Sequence, residues 1–98
     1  AAMQRHVDRQ SVKGVYLHLD TGTGEVQGLH PVTAHPMILQ MGENFVMCFD
    51  FRDSAEKKAE VDFYLARKGD TFVVFHAAVA NRELLHRLMQ AGKVTRAD

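Results

Sequence analysis

Phe45-Val46-Met47-Cys48-Phe49-Asp50-Phe51-Arg52 is the stretch that decides the fold. Phe45, Met47, Phe49 and Phe51 share one parity, and Cys48, Asp50 and Arg52 share the other. Successive strand side chains point to opposite faces, so the octet reads as a strand with an aromatic face buried and a mostly polar face turned away.

The pattern spreads outward from there. Residues 59–67 set Val61, Phe63 and Leu65 against Asp62 and Tyr64; Lys68-Gly69-Asp70 turns the chain. Residues 71–77, with Phe72, Val73, Val74 and Phe75, are apolar on both parities, which suits a central strand or one under a helix. Upstream, residues 12–20 set Val15, Leu17 and Leu19 against Tyr16, His18 and Asp20, and Thr21-Gly22-Thr23-Gly24 is turn chemistry. Residues 25–30 then return as the second strand of a hairpin. Both prolines, Pro31 and Pro36, fall within residues 30–36, which read as a stiff loop, and residues 37–41 as a short apolar strand.

One helix closes the chain. Asn81 suits its N-cap, Glu83 its first turn and Gly92 its C-terminal cap. Leu84, Leu85, Leu88 and Met89 form one stripe, and so short a helix must pack that stripe on the sheet. The expected fold is α+β: an antiparallel, largely meander sheet of about six strands, curved or half-barrel, its apolar flanks meeting beneath a C-terminal helix. Residues 1–10 read as a flexible lead-in, 11–92 as a single domain and 93–98 as a frayed tail.

The totals exclude some functions. Ninety-eight residues, 46% hydrophobic and 24% charged, suffice for one core with no cofactor required for folding. Twelve basic residues against twelve acidic ones disfavour nucleic acid, because phosphate affinity needs accumulated positive charge. No apolar run approaches the ~20 residues of a spanning helix, so membrane insertion is not expected. Ala1-Ala2 fits either processing at a small-residue site or a cloning remnant, and the reading leans to a periplasmic or secreted protein. A single cysteine, Cys48, rules out an internal disulfide.

Two constellations carry candidate chemistry. Six histidines are many for this length, and His30, His35 and Met37, with Met41 a strand-length away, combine imidazole with thioether. That donor set suits copper, with zinc as the other candidate, although no paired-cysteine or paired-histidine zinc motif is present. Exposed loop histidines are the simpler explanation, and Met37 and Met41 share parity with Leu39 as core residues would.

The second constellation is a polar sheet face of His18, Cys48, Asp50, Asp62 and Tyr64, a possible ligand or partner surface on which a Cys-His-Asp grouping could form. Alternating sheets carry a polar face by default, and no catalytic signature surrounds Cys48. His76 reads as a satisfied strand-end histidine and His86 as a helix-flank residue.

These features favour a small non-enzymatic binding or accessory module that presents a curved sheet face or an edge strand to a protein partner or an apolar ligand. Homodimerisation through such an edge is a further expectation. The alternative is a metal-binding protein using the His30/His35/Met37 loop, and an enzyme is the weakest reading.

Overall fold

The structure is a computed structural model that describes residues 2–96, with side chains from residue 4. In chain order the elements are α1 (Ala2–Gln10), β1 (Ser11–Val12), β2 (Val15–Asp20), β3 (Glu25–Met41), β4 (Asn44–Arg52), β5 (Lys58–Lys68), β6 (Thr71–Val79), α2 (Arg82–Gln90) and β7 (Thr95–Arg96). The first six strands pair antiparallel in sequence order, and β7 pairs with β3. The result is the expected α+β meander: a curved sheet, not a closed barrel.

Strand parity explains the two cores. Phe49 and Phe51 from β4 join Val61, Phe63 and Leu65 from β5, with Tyr16 and Leu29, in one buried cluster on the inner face. The intervening residues are also buried: Val46 and Tyr64 belong to a second cluster with Leu39, Ala78, Leu85 and Val94 on the outer face. Neither face of the central strands is left to solvent.

This arrangement corrects the expected cover. The aromatic face is closed by α1, whose Val7 is fully buried among the rings, while α2 seats Leu85 on the opposite face. Of residues 1–10, expected to be a flexible lead-in, Ala2–Gln10 thus form a packed helix. His6 Nε2 lies 3.1 Å from the Tyr16 hydroxyl and the His6 ring meets Phe63 edge-on, so two side chains anchor an otherwise polar segment. Position 1 lies outside the described residues.

The expected loop at residues 30–36 is also strand. β3 runs unbroken for 17 residues, bending where its register against β4 shifts between Pro31 and Thr33 and between Ala34 and Ile38. On its other edge β3 pairs with β2 through Leu29 and with β7 only at Leu39 and Gln40. Both prolines fall in the interval between these pairings, where a missing N–H breaks no ladder on that side among the described residues.

The tail expected to fray at residues 93–98 is ordered as far as Arg96. Gly92 takes φ +73°, its N–H donates to Met89 O, and Lys93 N–H reaches Leu88 O, which closes α2 in a Schellman turn. Val94 is thereby folded into the outer core and Thr95–Arg96 adds to β3; positions 97 and 98 lie outside the described residues. At the other end of α2, Asn81 occupies the N-cap position, but its side chain makes no capping hydrogen bond. No helix of the described residues is long and apolar enough to cross a membrane.

Candidate functional site

The outer face of β3–β6 carries a chain of charges ending beneath α2. Asp62, in mid-β5, is 1% exposed, and a buried carboxylate needs a partner. Arg82, the first residue of α2, supplies it: Nη2 donates to Asp62 Oδ1 at 3.0 Å and Nε lies 3.5 Å from Oδ2. Arg82 Nη1 also meets Glu60 Oε2 at 2.9 Å, and Lys58 Nζ lies 3.6 Å from Glu60 and 3.9 Å from Asp50. Asp50 accepts from His35 Nε2 at 2.9 Å.

Cys48 sits on β4 directly across from Asp62, and Arg82 Nη2 donates to its Sγ at 3.1 Å. Burial, then the neighbouring Asp62 carboxylate, pushes the thiol up to about 12, and the Arg82 charge only partly offsets them. The sulfur is a neutral thiol at ordinary pH, the opposite of an activated nucleophile. The Arg82 guanidinium is held charged, chiefly by its hydrogen bond to Asp62. Tyr64 is buried alongside, its phenol raised above the ordinary value by burial and by the Asp62 charge. Its hydroxyl has no hydrogen-bond partner among the described residues.

Of the polar face read from the sequence, Cys48, Asp50, Asp62 and Tyr64 do share one side of the sheet. Three of them are buried there, as the seat of α2. His18 lies elsewhere, because β2 has the opposite sense to the one its apolar alternation implies. Tyr16 points into the inner core, so His18 and Asp20 follow it inward and line a cleft of about 330 Å³ with Gln27, His76 and Asn81 where the hairpin nears the end of β6.

The metal set is divided as well. His35 and Met37 line a cleft of about 220 Å³ between β3, β4 and α2, its floor formed by Cys48 and Leu85. His30 is exposed opposite Arg52, and Met41 packs against the outer core; neither lines that cleft. Two residues the sequence reading did not connect with His35 do line it, His86 and Met89 from α2. Their i, i+3 spacing puts them on one helix face, but nothing in the sequence says which strand that face meets. Among the described residues, no group of three or more His, Cys, Asp or Glu gathers in a way that could hold a metal ion.

A third feature is apolar. Val12, Leu17, Leu19 and Val26 are 55%, 41%, 54% and 66% exposed. All four occupy the outward side of the β1–β2–β3 corner, where Val12 pairs with Val15 and Leu19 with Val26. Leu17 is opposite Gly28, where an added Cβ would come within 2.9 Å of Val15 Cγ1. β1 covers the edge of β2 only at Val15 and Tyr16, so residues 17–20 have no strand beside them on that side among the described residues. No family model, curated protein or solved structure matches the chain.

Proposed function

We propose that this protein is a non-enzymatic binding module that receives an extended segment of a partner protein along the edge of β2. The observation that carries the reading is the coincidence, on one corner of the sheet, of an open strand edge with four exposed apolar side chains. An open edge needs N–H and C=O partners, which another polypeptide supplies and a hydrocarbon ligand does not. The alternating outward positions Leu17 and Leu19 would then select apolar side chains on the added strand. The concave face is a poorer candidate, being filled by the protein's own Val7, Tyr16, Phe51 and Phe63.

The test is selection from a library of extended peptides, followed by amide chemical-shift mapping of the winners. The expected result is enrichment of alternating apolar sequences, with shifts confined to residues 17–20 and 26–28 and lost in Leu17→Asp/Leu19→Asp. Binding mapped to α2 or to the inner core, or unaffected by that double substitution, would overturn the reading. Sedimentation over a dilution series shows whether a second copy of the chain can serve as the partner.

A further inference from the structure

We propose that the cleft between β3 and α2 binds reduced copper, held by the thioethers of Met37 and Met89 and the imidazoles of His35 and His86. The four donors come from two elements far apart in sequence and line one cleft of about 220 Å³. Met37 and Met89 are each 43% exposed, so neither sulfur is used up in filling the core. Thioether beside imidazole favours the monovalent copper ion, because zinc shares the imidazoles but takes thiolate or carboxylate rather than thioether, and calcium takes oxygen donors.

Two further observations point the same way. His35 Nε2 is engaged by Asp50 at 2.9 Å, which leaves Nδ1 as the nitrogen free to bind. A carboxylate behind a histidine is the usual way proteins fix the tautomer and raise the basicity of a metal-binding imidazole. The charge beneath the cleft also suits a cation: Asp50, Glu60 and Asp62 outnumber Lys58 and Arg82 by one negative charge. Arg82 also lines the cleft, but its guanidinium is already paired with the Glu60 and Asp62 carboxylates. Cys48 stays outside the donor set, its thiol occupied by Arg82.

The inference is independent of the β2 surface. Its test is anaerobic titration with Cu(I) alone against a chromophoric Cu(I) chelator, paired with the methyl spectrum of the five methionines during addition of Ag(I). Wild-type protein should withdraw one equivalent, and only the Met37 and Met89 methyls should shift. Met37→Leu/Met89→Leu should weaken the competition at least tenfold while the far-ultraviolet spectrum is unchanged, and His86→Gln should weaken it too. His30→Gln and Met41→Leu should bind as wild type. No competition by the wild type, equal binding by the double leucine variant, or shifts at other methionines would overturn the proposal.

Discussion

Arg82, at the start of α2, closes on Asp62 in the middle of β5 with a 3.0 Å contact, over a carboxylate that is 1% exposed. One helix residue thereby compensates the one buried acid among the described residues and ties the start of α2 to β5. Removing the arginine leaves an uncompensated charge in the outer core. Arg82→Ala should cost about 3 kcal/mol in denaturant unfolding, although Arg82 itself is partly exposed. Arg82→Met with Asp62→Leu should restore most of that loss, because an apolar pair needs no desolvation offset. A single variant within about 0.5 kcal/mol of wild type would contradict this role.

Cys48 should be inert in the folded state. With its thiol pushed up to about 12 by burial and Asp62, almost no thiolate exists at pH 8. A disulfide-exchange reagent should label the native protein at least about a hundredfold more slowly than the guanidinium-unfolded chain. A native rate matching the unfolded one would show an exposed, ionisable thiol.

The Tyr64 hydroxyl is buried without a partner among the described residues. Tyr64→Phe removes a desolvated polar atom and keeps the ring beside Phe75 and His76, so it should leave stability unchanged or slightly higher. A loss above about 1 kcal/mol in the same unfolding assay would show that the hydroxyl is bonded.

His6 ties the lower end of the pH range to α1. Burial, and then the Arg9 charge, lower its titration below the ordinary 6.5. The unfolded chain takes up this proton near 6.5 and the folded chain only at lower pH, so this contribution is complete above 6.5 and is lost as pH falls through the folded value. Thermal unfolding should show stability falling from pH 6.5 downward. His6→Gln should flatten that dependence, and an identical slope in the variant would contradict it.

The sheet was legible because β4 and β5 alternate strongly enough to fix parity, and both Phe49 and Phe63 are buried as that parity requires. α1 was not, because Val7 is the one apolar side chain between Gln4 and Gln10 and a single anchor has no period. β2 misled for a different reason. Its apolar residues Val15, Leu17 and Leu19 alternate cleanly, yet Tyr16 takes the inner face because an aromatic ring fills the space beside Phe51 and Phe63. Prolines 31 and 36 suggested a loop because sequence alone does not reveal that one edge of β3 lacks a partner there among the described residues. In the polar face, parity joined Cys48 to Asp62, but nothing local disclosed that Arg82 would cross from the helix to meet them.

α1 and α2 seal opposite faces of the sheet, and Leu17 and Leu19 at the outward corner of β2 stay exposed, where the proposed partner would dock. Nuclear Overhauser contacts from stereospecifically labelled methyls measure this directly. The Val7 methyls should contact the rings of the inner cluster, the Leu85 methyls should contact the Tyr64 ring, and the Leu17 and Leu19 methyls should reach neither helix. Contacts from Leu85 to Phe49 or Phe63, or from either helix to Leu19, would contradict it.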